Sequence, residues 1–549
     1  MSKKILIIFP DCKGDDAISN FFAPALGVIR MVSYLNSYNH EADYFDPNIF
    51  ALNHKGLSLE EKFLEKEWDY IGFSTLDDTI LYDIQNMYLA HKLRPEAIIV
   101  AGGIEAQFNY QTILDKSPCR IVISGEGEAP FKMLADGVPW QDIPGIVVKN
   151  LSKPMNQELF NEATCGIEWE KLPYEDYWNV YKKIYGNKWN SDIERQVNTV
   201  RIFSRNRCPI GCKFCSSTAQ LTLASGGKVP VISTTESNLI SVVDRVVASH
   251  PDVKQIYLTD DDFLINKKSV IRFCKLVVER NYKNLYFMSF ARITDLNEEV
   301  ISWLKKANWR MLNIGVESFS NSVLKEFGKR CDADRIEPTL DLLLKFGIKV
   351  HMSLILTTPE STLNDVELTL KKSIKYFSTG KVTGAVMAAI SPLKGTEFYE
   401  KYTDFKSCIL NIPGTNFHIK KDEYIYAKDP YVKEFQKRYY EESDAKINKY
   451  IRDNDIRHPD SGKLSLISCK IVLETINQIR DEYTEGELNL SKIELEKKQD
   501  AGTARPFQGL GTSAFYEEGK QIKENLRRSF AKDKLKLEKN TSKLDKLKI

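Results

Sequence analysis

From Lys4 to Ile390 the chain alternates short, wholly apolar runs that end in small or acidic residues with segments whose apolar positions recur at helical spacing. Lys4–Phe9, Asp69–Thr75, Ala97–Gly103 and Arg120–Glu128 are such runs, and Ala25–Asn36 is the first helical stretch. A run that is apolar on both faces predicts a strand buried on both sides, as parallel sheets require. This block predicts an α/β domain over residues 1–150, a doubly wound, Rossmann-like parallel sheet with glycine-rich turns at the carboxyl ends of its strands. Flat or nucleotide-like ligands bind such sheets at that edge.

A second block repeats the design over residues 197–400. Asn198–Ser204, Gln255–Phe263, Leu285–Arg292, Met311–Ser318, Val350–Leu356 and Val382–Ile390 read as strands, with helical stretches such as Ser269–Glu279 and Arg335–Lys345 between them. Six alternations predict parallel strands with right-handed crossovers, a partial (β/α)6 barrel with its site at the carboxyl ends. Residues 151–196 hold Pro154, Pro173 and the aromatic cluster Trp169–Trp178, which predicts a linker packed across both domains rather than a free tether. Residues 401–549 predict a mostly helical region: Tyr431–Asn454, Ser465–Glu482 and Glu485–Gln499 have helical character, and Asp500–Thr512 is loop-like. Its last thirty residues carry eleven Lys or Arg against four Asp or Glu, a local charge of +7, most simply a solvated tail.

Composition narrows the functional classes. A net charge of +2 over 549 residues singles out neither nucleic acid nor membrane as partner. No stretch approaches the roughly 18 consecutive apolar residues of a spanning helix. The opening Met-Ser-Lys-Lys-Ile-Leu-Ile-Ile-Phe-Pro lacks a signal-peptide pattern, so a cytoplasmic location and free thiols are expected.

The candidate chemistry is concentrated in Cys208-Pro-Ile-Gly-Cys212-Lys-Phe-Cys215. Those spacings put three sulfurs on one tight loop, able to grip three corners of an iron-sulfur cube and leave the fourth iron open. Gly211 lets the backbone turn sharply there. A structural zinc site would want a fourth ligand close by, and no Cys or His follows until His250 and Cys274. Cys12, Cys119, Cys165, Cys274, Cys331, Cys408 and Cys469 lack metal spacing and read as small apolar residues.

This CxxxCxxC, with Phe214 before its last cysteine, resembles the signature of the radical S-adenosylmethionine (SAM) superfamily. The resemblance implies that Cys208, Cys212 and Cys215 hold a 4Fe-4S cluster, that SAM chelates the open iron, and that its reductive cleavage yields a 5′-deoxyadenosyl radical. Polar residues collect at the predicted strand ends: Asp260, Asp261 and Asp262, Ser289 and Arg292, Gly315 and Glu317. Together with Phe214 they are the expected SAM contacts, the acids toward hydroxyl or amino groups and Arg292 toward a carboxylate. Each could equally cap a helix or line a solvated rim.

The words Leu-Thr-Asp-Asp-Asp-Phe, Ile-Gly-Val-Glu-Ser and Ile-Ser-Pro-Leu-Lys-Gly-Thr-Glu-Phe-Tyr are similar to those of cobalamin-dependent radical SAM enzymes. The order of Pro10, Pro24-Ala-Leu-Gly27, Gly102-Gly103 and Gly125-Glu-Gly-Glu128 resembles their cobalamin domain, which makes Ser74, Thr75, Gly102, Gly103, Gly125, Glu126, Gly127 and Glu128 the expected cobalamin contacts. No D-x-H-x-x-G occurs, so the resemblance implies cobalt without a histidine below it. It also implies methyl transfer to an unactivated centre of a small-molecule or natural-product substrate, with an electron donor such as flavodoxin or ferredoxin. Two other readings stand beside it: a cyclase or ring-rearranging enzyme without methyl transfer, and a metal-dependent nucleic-acid-binding protein.

Overall fold

The computed structural model describes residues 2–11, 23–48, 58–149, 151–152, 166–227, 229–454 and 461–483. Cys12, Cys165, the stretch Glu485–Gln499, the loop Asp500–Thr512 and the basic tail lie outside the described residues. Among those described the chain divides into two compact units, residues 2–198 with Ile412–Thr415, and Thr199–Asn411 with residues 416–483.

The first unit is built on a seven-stranded sheet in the order β2-β1-β3-β4-β5-β6-β7. β1 (Lys4–Ile8), β2 (Glu41–Phe45), β3 (Tyr70–Ser74), β4 (Ile98–Gly102) and β5 (Ile121–Ile123) are mutually parallel, and β6 (Ile146–Val148) and β7 (Leu151–Ser152) add antiparallel strands at one edge. β1 sits inside the sheet, and Ile5, Leu6 and Ile8 are fully buried, as its unbroken apolar run requires. β2 went unread because Glu-Ala-Asp-Tyr-Phe has the polar character of an edge strand. Arg120–Glu128 is a strand only through Ile123, and a helix, Glu128–Ala135, begins at its end. Trp169, Tyr174, Tyr177 and Trp178 are all buried in this unit, where the Tyr177 hydroxyl donates to Asp46.

The second unit holds a six-stranded parallel sheet in the order β13-β12-β11-β10-β9-β8. Its strands are β8 (Thr199–Ile202), β9 (Gln255–Leu258), β10 (Tyr286–Ala291), β11 (Trp309–Glu317), β12 (Lys349–Thr357) and β13 (Val382–Ala389). One face packs on helices: Trp309 stacks on Phe287 and Phe263, and all three meet Phe273 of the helix Lys267–Arg280. The edge strand β13 is closed by the helix Ser461–Tyr483, whose Ser465 hydroxyl donates to the Gly384 carbonyl at 2.9 Å and accepts from its amide at 3.0 Å. Those bonds occupy backbone groups that would otherwise template a further strand. The described residues beyond 400 are mostly helical, with one feature the pattern did not announce, an antiparallel hairpin of β14 (Phe405–Asn411) and β15 (His418–Ile425). Its β15 is charged at Lys420, Lys421, Asp422 and Glu423, which masks the alternation.

Candidate active site

The cysteine loop leaves the carboxyl end of β8 and enters the helix Ser216–Ser225 directly after Cys215. It is tied down along its whole length. At its start, Asp260 accepts from both the Ser204 amide (2.8 Å) and the Ser204 hydroxyl (2.9 Å). In its middle, the Lys213 amide donates to the Phe327 carbonyl at 3.0 Å, and the Lys213 carbonyl accepts from the Phe398 amide at 3.1 Å. Gly211, at φ +78°, makes the turn between the first two thiols. Phe214 packs 4.8 Å from the Phe327 ring, on a cluster that includes Val323, Ile355, Ile390 and Phe398. A Phe214→Ala variant should therefore loosen the loop by about 2 kcal/mol and lower its metal content, measured by iron analysis after reconstitution.

The three thiols are partly buried, and burial pushes Cys208 up to about 12, with the charges of Asp262 and Asp261 adding to that. Burial also raises Cys212, against the opposing pull of Lys329 and Arg292. Such thiols stay protonated unless a metal takes the place of the proton. Among the described residues no three His, Cys, Asp or Glu side chains converge on a single-ion cage.

Strand-end residues around the loop divide into buttresses and a charged floor. Asp260 and Asp261 are buttresses: Asp261 accepts from the Cys208 amide and the Ser217 hydroxyl. Burial pushes Asp260 up to about 6. Ser289 is elsewhere: it is fully buried on the helical side of the sheet and accepts from the Trp309 indole at 3.1 Å. Arg292 lies between Asp262 (2.7 Å) and Asp295 (2.9 Å). Glu317 ends β11 after a register shift, at φ +60°, and its carboxylate accepts from Lys329 at 3.0 Å. A left-handed glutamate is costly, and such strain persists where the surroundings hold it. Gly315 makes the space, since a Cβ there would meet the Glu317 carboxylate at 2.5 Å and Lys329 at 2.9 Å.

Sequence reasoning missed Lys329 and Asp295, and singled out Asp262 only as one of three acids after a strand, not as the partner of Arg292. Burial acts to lower Lys329, yet the charges of Glu317 and Cys212 outweigh it and the ammonium is raised. No motif marks Lys329, which follows a helix-ending glycine (Gly328, φ +68°) and is aimed at the loop only by that turn.

Asp295 is raised from 3.8 to about 7, by burial first and then by the charge of Asp262. A carboxyl whose folded value lies above its unfolded one supplies stability below about pH 4 that is lost as pH rises through about 7. Asp295→Asn, close in shape to the protonated acid, should leave the thermal midpoint nearly unchanged at about pH 3 and raise it at about pH 8. An equal shift at both values would refute that protonation state.

In the first unit the expected ligand-facing residues separate in the same way. Ser74, Gly102 and Gly125 are half-exposed and Gly103 is exposed, forming a ledge nearly free of side chains across the carboxyl ends of β3, β4 and β5. Gly103, at φ +93°, also lacks a Cβ for internal reasons: one would sit 2.7 Å from the Thr75 carbonyl. Thr75 is buried and bonded to the Gly102 carbonyl through its amide and hydroxyl. Glu126 and Glu128 both pair with the buried Arg30 of the helix Leu26–Ser37, and Gly127 makes room for Met31. His40 bonds Asp136, and it directly precedes β2 at the opposite edge of the sheet from the ledge.

Residues 202–372 match the Radical SAM superfamily, a span that runs from the end of β8 through β12. This part of the chain is a radical SAM domain. The chain is 24% identical over 406 residues to an uncharacterised methyltransferase of Pyrococcus horikoshii, covering 72% of this chain and 82% of the relative. It is 23% identical over 390 residues to the anaerobic magnesium-protoporphyrin IX monomethyl ester cyclase of Rubrivivax gelatinosus, covering 67% of this chain and 65% of the cyclase. The fold of the chain resembles that of the cobalamin-dependent S-adenosylmethionine radical enzyme OxsB, with a TM-score of 0.64 at 14% identity over 100% of this chain and 81% of the other. It also resembles the radical S-adenosylmethionine methyltransferase TsrM of Kitasatospora setae, with a TM-score of 0.58 at 14% identity over 76% and 82% of the two chains.

Proposed function

We propose that Cys208, Cys212 and Cys215 hold a 4Fe-4S cluster for the reductive cleavage of SAM, and that the first unit holds cobalamin for methylation of an unactivated centre in a small-molecule substrate. The observation that carries this reading is the thiol loop itself: three cysteines on one backbone turn, tied at both ends, at the carboxyl edge of a parallel sheet. When bound, the cluster and cobalamin supply the electron that splits SAM and a transferable methyl group. The chain's own residues do the positioning. Lys329 and Arg292 place positive charge toward the loop, which favours an anionic cluster and a carboxylate beside it. Glu317 holds Lys329 in place, and Asp260 and Asp261 keep the loop from spreading.

Cobalamin is supported by the likeness to OxsB and TsrM, structures recorded with cobalamin bound, and by the ledge of Ser74, Gly102, Gly103 and Gly125, where a flat ligand can approach backbone. A small electron carrier such as flavodoxin or ferredoxin would deliver the electron.

Anaerobic reconstitution, corrin and iron analysis, and turnover with SAM deuterated at its methyl group test the reading. Iron in the ratio of a cubane, deoxyadenosine formation and label in the product are expected. Failure to form deoxyadenosine overturns it. Deoxyadenosine with an unlabelled product favours the second reading, a ring-forming reaction, which the likeness to the Rubrivivax cyclase supports.

A further inference from the structure

We infer that the interior face of the six-stranded sheet binds an anionic group of the small-molecule substrate, a carboxylate or a phosphate, with Arg201 as its counter-ion. Strand register defines that face. Val200, Ile256 and Phe287 are paired neighbours on the helical side, so Arg201, Tyr257 and Met288, their successors, lie on the other. Asn313, His351 and Thr383 continue this face across β11, β12 and β13. The helical face at these strands is closed by Val200, Ile202, Ile256 and Leu258, each 1% exposed or less, whereas Arg201, Tyr257, His351 and Thr383 remain half-exposed. The interior is thus polar and open where a filled barrel would be apolar and closed.

Arg201 differs from the other arginines of this unit's site. Arg292 is held by two carboxylates, whereas Arg201 forms no ion pair or hydrogen bond with the described residues. Its charge reaches the Tyr257 phenol and opposes the burial that raises that group. The Tyr257 oxygen accepts from the Asn313 amide at 2.8 Å, so its own proton is left to donate inward. His351 bonds Thr383 at 3.0 Å beside it. A guanidinium in a half-buried interior, flanked by a phenol donor, is a bidentate receptor for a carboxylate or phosphate. Asn313 lies four residues before Glu317, about 13 Å along an extended strand, so an anion bound there directs the rest of the molecule toward the strand-end site.

Naming the anion's bearer as the substrate rests on the proposed function; the anion site itself does not. Phenylglyoxal labelling of the full-length reconstituted protein, read by peptide mass spectrometry, tests it. Arg201 is expected to label at least about five times faster than Arg292, which its two carboxylates protect. Millimolar propionate or inorganic phosphate should slow Arg201 at least about threefold, with chloride at equal ionic strength as control. The anion that protects identifies a carboxylate or phosphate source. Labelling no faster than Arg292, or no protection beyond that of chloride, overturns the inference. Deoxyadenosine formation by the same preparation is scored separately: its absence with Arg201 still protected sinks the radical reading and leaves the anion site standing.

Discussion

Single replacement of Cys208, Cys212 or Cys215 by alanine is expected to abolish deoxyadenosine formation, a fall of at least about a thousandfold, together with most of the bound iron. A cube held by these thiols would have one protein ligand per gripped corner, so each thiolate lost would leave an iron without its protein ligand. The protonation state sharpens the expectation. Cys208 is pushed up to about 12 by burial, so assembly must expel its proton, and cluster insertion should quicken as pH rises. Cys469→Ala is the comparison, because that thiol is buried in the helix Ser461–Tyr483, outside the cysteine loop. If a loop variant keeps its iron and cleaves SAM at the parental rate, the functional reading fails.

Lys329→Met should cost about 3–5 kcal/mol and lower SAM cleavage as well, because it strips the counter-ion from a buried glutamate. Lys329 and Glu317 are both buried, 3.0 Å apart, and the Glu317 backbone is already in the left-handed region. Pairing the change with Glu317→Leu separates the two consequences. The double variant removes both charges, so thermal stability should largely return. Activity should not, since the positive charge facing Cys212 is still missing. A double variant with parental deoxyadenosine formation would show the pair to be structural alone.

How far the site could be read from sequence varied with the kind of interaction. The cysteine loop was legible because its residues are adjacent along the chain, and spacing alone sets which sulfurs can share a cluster. The acids after β9 were legible as a group, but their roles were not: Asp260 and Asp261 are fastened to the loop, whereas Asp262 engages Arg292. Ser289 read as a site residue because it stands near a strand end, yet the pleat turns it to the helical face. Glu126 and Glu128 looked free to meet a ligand until Arg30, nearly a hundred residues away, came to lie between them. Edge strands β2 and β15 were hidden because strands with a wet face carry charge that blurs the apolar pattern.

Local regularities, then, were decided by the chain order: buried parallel strands by unbroken apolar runs, crossovers by helical spacing, and the cluster loop by three thiols in eight residues. Tertiary structure alone decided which charges face one another. Lys329 against Glu317, Arg292 between two aspartates and Arg201 without an ion pair among the described residues are outcomes of crossovers that bring distant segments to one edge or one face. No periodicity encodes such meetings, because an ion pair depends on a few ångströms of separation, which only the packed sheet and its helices set.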